Sequence, residues 1–210
     1  MLTGVLLAGG RSRRMGRDKA LLRLGGEFLW QRQVRVLRAA GAETVAVVLR
    51  QGQELFPELA GAPVRVLRDL QQEAGPMAGL HAALVAFPAA PLFCLLAVDL
   101  PRIDARWFRW LGGGSDRTTG AVAYHDQGYE PLAAIYPANV LPAVADHLAR
   151  GDYSLQRLTE ALVRGGQLRP RLLPAEMLGC VANWNEPHDV AAGLAEEAAL
   201  TFQYAQPHAT

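Results

Sequence analysis

Lys19 is the single lysine among 21 basic residues, and it stands in the stretch LLAGGRSRRMGRDKALL, residues 6–22. An apolar run breaks there into Gly9 and Gly10. Arg11, Arg13, Arg14, Arg17 and Lys19 follow before apolar sequence resumes. Glycines lack a Cβ, so their backbone N–H groups can approach an anion closely. Fixed cations beside such a turn suit a phosphate-bearing ligand. Arg presents a flat fork of donors and Lys a compact point charge, so a lysine kept among arginines suggests a pocket too small for guanidinium. Two common phosphate loops are excluded by spacing. Arg17 and Asp18 separate Gly16 from Lys19, so the Gly-Lys-Ser/Thr ending is missing, and so is the G-x-G-x-x-G turn.

Three further segments carry polar residues just past apolar runs. Asp69 follows the run 64–67, and Gly75-Pro76-Met77-Ala78-Gly79 leads into a helical pattern. Small residues there let the chain lie flat against a planar base, or serve only as a turn with Pro opening a helix. Asp99 closes the apolar run 92–98. A carboxylate at a strand end beside a phosphate site is a natural Mg²⁺ ligand, because Mg²⁺ takes one or two carboxylates together with substrate phosphates. The other role for such an aspartate, capping a helix, suits Asp104 better, immediately before Ala105. Asn183 and Asn185, in CVANWNEPHD, can hydrogen-bond a polar ligand without adding charge, or form a turn into the last helix.

These groups need elements to gather them. Apolar runs at 3–8, 44–49, 64–67, 92–98, 120–124, 132–136 and 168–173 predict strands. Longer amphipathic segments at 29–40, 77–87, 105–111, 138–149, 154–164 and 189–199 predict helices. This alternation predicts an α/β domain with a mostly parallel sheet. The run 92–98 has no polar residue, as expected of a central strand covered on both faces. Such sheets bind ligands beyond the carboxyl ends of their strands, so the four segments should meet on one rim. HDQGYEP, with Gly128, predicts a hairpin or a folded-out loop. No repeat or linker divides the chain: a single domain is expected over 1–200, and residues 201–210, without periodicity, are expected to fray.

Bulk composition narrows the partners. Half the residues are hydrophobic, a fifth are charged and the net charge is +1, which predicts a globular protein with no nucleic-acid and no membrane partner. No stretch reaches the roughly 20 apolar residues of a membrane span. The N-terminus lacks the basic region and cleavage site of a signal peptide. Cys94 and Cys180 are too few for a disulfide framework and are expected to be buried, reduced thiols. The expected compartment is cytoplasmic.

LLAGGRSRRMGRDKAL resembles the signature loop of nucleotidyltransferases, most closely that of the molybdenum cofactor guanylyltransferases. GPMAGL, VDLP, EPLAAIY and ANWNEPHD continue the resemblance in that family's order, over nearly the whole chain to residue 199. The resemblance implies a Rossmann-like α/β fold: a mostly parallel sheet with helices on both faces, and a small β excursion after the central strands. It implies transfer of GMP from GTP to the terminal phosphate of molybdopterin, with Mg²⁺ as cofactor and pyrophosphate released. Leu7, Ala8, Gly9 and Gly10 would then hold the nucleotide by backbone contacts, Arg13 and Arg14 its leaving phosphates, and Lys19 the reacting end. Asp69 would belong to the nucleotide site, Gly75 and Gly79 would lie along the base, and Asp99 would bind the metal. EPLAAIY, Asn183 and Asn185 would face the pterin, and proteins that deliver molybdopterin or accept the finished cofactor would be transient partners. Family members often carry an Asn at the end of the second strand, where this chain reads Leu49-Arg50 in VAVVLRQGQ. A cytidylyltransferase, a sugar-phosphate nucleotidyltransferase and a catalytically silent nucleotide-binding module are the alternatives.

Overall fold

The computed structural model describes residues 2–10, 18–53, 59–69, 71, 74–184, 188, 189 and 191. In chain order the elements are β1 (Leu2–Leu7), a 3₁₀ turn (Lys19–Leu21), β2 (Arg23–Leu24), β3 (Glu27–Phe28), α1 (Leu29–Ala39), β4 (Thr44–Leu49) and β5 (Arg65–Arg68). Then come α2 (Gly75–Ala86), β6 (Leu92–Ala97), α3 (Ala105–Gly112), β7 (Gly120–His125), β8 (Gly128–Tyr129) and β9 (Ala133–Pro137). After a 3₁₀ turn (Ala138–Val140), α4 (Leu141–Ala149), α5 (Leu155–Arg164), β10 (Leu168–Leu172) and a 3₁₀ segment (Ala175–Val181) follow.

One sheet takes eight of these strands, in the order β10-β7-β9-β6-β1-β4-β5 with β8 paired to β7. β1 pairs in parallel with both β4 and β6, and β4 with β5. β9 is antiparallel to β6 and to β7, and β8 to β7, while β10 returns parallel to β7. The sheet is therefore parallel from β6 through β1 and β4 to β5, with the expected β excursion beyond the central strands. HDQGYEP makes the hairpin between β7 and β8, where His125 pairs with Gly128.

The continuous apolar runs follow from burial on two sides. Leu6, Val47, Leu96 and Ile135 pack on one face with Trp30 and Leu37 of α1 and Trp107 and Phe108 of α3. Val5, Val48, Leu95 and Tyr136 pack on the other with Met77 and Leu80 of α2, Val144 of α4 and Leu158 of α5. Both edges discourage further pairing: β5 presents Arg65 and Arg68, and β10 carries Pro170 between Arg169 and Arg171.

Differences from the sequence expectations are local. α2 begins two residues early because Pro76 sits in its first turn, where the missing N–H costs nothing. The segment 138–149 splits into a 3₁₀ turn and α4, with Pro142 in the first turn of α4. The two-residue strands β2 and β3, joined at Gly25 and Gly26, were too short to show periodicity. Cys94 is buried as expected, but Cys180 is half-buried, because its 3₁₀ segment lies on the rim with none of its residues buried. Of the helix expected at 189–199, residues 189 and 191 are described and helical; its remainder and the tail 201–210 lie outside the described residues. Among the described residues no helix is long and apolar enough to cross a membrane.

Candidate active site

β1 ends at Leu7, yet Ala8 N still donates to Val48 O at 2.9 Å, so the strand path is held one residue further before it turns. A Cβ at Gly9 would stand 2.7 Å from the Arg50 amide nitrogen. Only glycine lets the loop after β1 pass the loop after β4 so closely. Gly10 is open, with nothing within 4 Å of its Cβ position. Past residues 11–17, Asp18 Oδ1 accepts from Ala20 N at 3.0 Å and caps the 3₁₀ turn that carries Lys19. Lys19 Nζ lies 3.6 Å from Asp99 Oδ2, with side chains 14% and 25% exposed.

Asp99 stands on a turn fixed from several directions. Val98 N donates to Leu7 O at 3.1 Å, and Asp99 O accepts from Trp184 N at 2.9 Å. From α1, Gln33 Nε2 donates to Leu100 O at 2.7 Å and Arg32 Nε to Pro101 O at 3.2 Å. Asp104 takes the capping role instead, its Oδ1 accepting from Arg106 N at 2.8 Å at the start of α3. The Lys19–Asp99 ion pair thus joins two largely covered side chains across the ends of β1 and β6.

The place where they meet is set by topology. From β1 the order runs to β4 and β5 on one side, and to β6 on the other. The strand order reverses between β1 and β6, and open α/β sheets bind ligands in the crevice at such a reversal. A cavity of about 620 Å³ opens there, lined by Leu7, Ala8, Gly9, Gly10, Asp18 and Lys19 from β1 onward and by Ala97, Val98 and Asp99 after β6. It extends over the ends of β4 and β5, where Val48, Leu49, Arg50, Gln51 and Asp69 line it. Its volume is that of a small-molecule site. Asp69 ties this far side together: its N donates to Leu49 O at 2.9 Å, and its Oδ1 accepts from Gln51 N at 2.7 Å.

α2 closes the cavity with Gly75, Pro76 and Gly79. Gly75 has φ +60°, in the left-handed region that glycine adopts freely, and no side chain caps the first turn. A Cβ at Gly79 would meet Leu7 Cδ2 at 2.6 Å. The missing side chain at 79 thus lets α2 approach β1, a packing role beside the base-facing one expected.

Nine of the expected residues line this one cavity: Leu7, Ala8, Gly9, Gly10, Lys19, Asp69, Gly75, Gly79 and Asp99. Arg13, Arg14 and Asn185 lie outside the described residues. Asn183 is exposed and not part of the cavity lining; it adjoins Trp184, whose amide reaches Asp99 O. EPLAAIY reaches the lining through Leu132 alone, whose carbonyl accepts from Ala97 N at 2.9 Å. Glu130 of that segment turns to His125, at 2.7 Å, and its carboxylate raises the imidazole pKa above the ordinary value. Cys94 is no nucleophile, since burial pushes its thiol up to about 12. Sequence reading missed Asp18 and Gln53. Asp18 had a local signal, an Asp just ahead of a short helical turn; Gln53 had none, because its partners are distant in sequence.

Asp99 places one carboxylate on the cavity wall, the kind of oxygen donor a hard divalent ion takes together with ligand phosphates and water.

Residues 4–167 match the family model described as the MobA-like NTP transferase domain. The chain belongs to the MobA-like NTP transferase family. Over 193 residues it is 50% identical to a "probable molybdenum cofactor guanylyltransferase" of Opitutus terrae, covering 90% of this chain and 92% of that one. It is 30% identical over 162 residues to the "molybdenum cofactor guanylyltransferase" of Yersinia pestis, covering 77% and 81%. Among solved structures, molybdopterin-guanine dinucleotide biosynthesis protein A of Archaeoglobus fulgidus superposes with a TM-score of 0.74 at 20% identity, over 96% of this chain and 99% of that one. The 2-C-methyl-D-erythritol 4-phosphate cytidylyltransferase of Thermus thermophilus gives 0.66 at 19% identity, over 92% and 98%. At those identities the likeness is one of fold. Membership makes this chain a nucleotidyltransferase, and the resemblance seen in its motifs stands.

Proposed function

We propose that this MobA-like transferase moves GMP from GTP to the terminal phosphate of molybdopterin, forming the guanine dinucleotide cofactor and pyrophosphate. The observation that carries the reading is the meeting of Lys19 and Asp99 at 3.6 Å in the β1–β6 crevice, at the side of a nucleotide-sized cavity. The names borne by relatives up to 50% identical supply the substrates.

In this reading a phosphate oxygen of molybdopterin attacks the α-phosphorus of GTP. The new P–O bond forms as the bond to the α–β bridging oxygen breaks, and the electron pair leaves with pyrophosphate. The nucleophile is already an anion, so no general base is required. The obstacle is the approach of two polyanions, and positioned positive charge removes it. Lys19 is held by the Asp18-capped turn where it can follow charge onto the leaving oxygen. Gly9 and Gly10 offer backbone N–H groups to the phosphates, and Arg13 and Arg14 are assigned to the pyrophosphate end. Leu7, Val48 and Gly79 give the nucleoside an apolar bed between the phosphate side and Asp69. Asp99 would hold Mg²⁺ arriving with the triphosphate; when bound, that ion supplies charge neutralisation at the α-phosphate. Asn183 and Asn185, past the Asp99 turn, are assigned to the pterin. The free thiols of Cys94 and Cys180 accord with a reducing, cytoplasmic setting.

The test is pyrophosphate release with GTP or CTP, each with and without molybdopterin. Release only with GTP and molybdopterin together supports the reading. Release with CTP makes the chain a cytidylyltransferase, and GTP binding without release makes it a silent module.

A further inference from the structure

Gln53 is absent from the cavity lining and stands behind it, 5% exposed. Both the nitrogen and the oxygen of its carboxamide are bonded. Nε2 donates to Ala8 O at 3.2 Å and to Asp18 Oδ2 at 2.7 Å, and Oε1 accepts from Arg50 N at 3.1 Å. Its main chain is fixed as well: Gln53 N donates to Arg50 O at 3.2 Å, and Arg68 Nη1 donates to the carbonyls of both Arg50 and Gln53.

The three side-chain partners belong to three separate stretches of the cavity wall. Ala8 lies between Leu7 and Gly9 on the loop after β1. Asp18 precedes Lys19 and caps its turn with the other carboxylate oxygen. Arg50 follows β4 and lines the nucleoside side. Past the ends of β1 and β4 the sheet ladder no longer couples these loops, and Gln53 takes its place. The chemistry of the partners selects an amide. Asp18 and Ala8 O are acceptors and need two donors, while Arg50 N needs an acceptor; of side chains this long, only Gln offers two donors and one acceptor at one end. In a buried network each such bond is costly to lose.

We propose that Gln53 is a positioning residue for nucleotidyl transfer: through Asp18 it sets Lys19 opposite Asp99, and through Ala8 and Arg50 it fixes the distance from that cation to the nucleoside side of the cavity. This rests on the transfer reaction proposed above. Gln53 touches no reacting atom, so its loss acts by displacing Lys19, and small displacements of a positioned group are expensive in rate.

The experiment measures kcat, KM for GTP and Tm for the full chain carrying Gln53→Glu, Gln53→Met, Asp18→Asn, or Asp18→Asn with Gln53→Glu. Gln53→Glu sets a carboxylate against Asp18 and Ala8 O; Asp18→Asn alone sets its amide against the Gln53 amide. Each single change should lower kcat by about 10- to 100-fold with a smaller change in KM. The double variant restores a donor–acceptor pair, now running from Asn to Glu, while a carboxylate oxygen still faces Ala8 O. It should recover part of the lost kcat and exceed both single variants. Gln53→Met, similar in length and without polar atoms, serves if the glutamate variant does not fold. An active wild type with kcat unchanged in the single variants overturns the role of Gln53 alone. So does a double variant as slow as the singles, or kcat losses that track Tm throughout. A wild type that releases no pyrophosphate overturns both this role and the reaction it serves.

Discussion

Lys19 and Asp99 carry the residue-scale argument. The lysine side chain is nearly enclosed, 14% exposed, between the β1 loop and the Asp99 turn. A point charge fits there, whereas a planar guanidinium needs width as well as length. Lys19→Ala is expected to reduce kcat by about 10²–10³, the effect of losing one positioned electrostatic donor. Lys19→Arg should be nearly as slow despite keeping the charge, and steady-state turnover near the wild-type level would refute the steric argument. Asp99→Asn is expected to lose Mg²⁺-dependent turnover while leaving circular dichroism unchanged; a metal titration that overlays the wild-type curve would remove Asp99 from the metal's ligands. Both residues were legible in the sequence because each is exceptional in its own surroundings, the one lysine among arginines and a carboxylate closing an unbroken apolar strand. Gln53 was not, since a glutamine in a polar loop is unremarkable until Ala8 and Asp18 are folded against it.

At the scale of elements, the loops after β1 and β4 work because they nearly touch. Gly9→Ala would press a methyl group on the Arg50 amide, which is backbone and cannot swing aside. Overpacking of this kind costs about 1–3 kcal/mol, and Gly9→Ala is expected to lower Tm and raise KM for GTP together, read by calorimetry and initial rates. The β7–β8 hairpin is held differently, by His125 against Glu130 and, more loosely, Asp126. The folded state raises the His125 pKa above its ordinary 6.5, first through the Glu130 hydrogen bond. Its contribution to stability is therefore complete below pH 6.5 and is lost as pH rises through the raised value. Tm measured across that window should fall with rising pH, and Glu130→Gln should flatten the slope. Element types were readable from periodicity along most of the chain. The two-residue strands β2, β3 and β8 were not, because pairing rather than pattern defines them.

For the whole molecule, the sheet is one wall shared by two cores. Leu95 and Leu96 are adjacent in β6 and fully buried, yet they belong to opposite faces. Leu95→Ala and Leu96→Ala should each cost about 2–5 kcal/mol. Because both faces lean on the same strand, calorimetry should show a single transition displaced in each variant. Two transitions moving independently would mean that the faces fold as separate units. The cavity depends on this shared wall: its lining comes from the ends of β1, β4, β5 and β6, from α2 and from the segment before β9, spread from residue 7 to residue 132.

The sequence by itself determined the element types, the mostly parallel α/β class and seven of the residues that line the cavity, with Leu7 and Ala8 added only by the resemblance of the signature loop. These are local properties: hydrophobic period reports which faces are covered, and a glycine or charge at a strand end is visible without its partners. Only the tertiary structure decided that Lys19 meets Asp99, that Gly9 is required by the Arg50 backbone, that Gly79 packs against Leu7, and that Gln53 joins three loops. Those facts depend on which strands are neighbours. The reversal of strand order between β1 and β6 brings together groups 80 residues apart, and no periodicity in the chain encodes that distance.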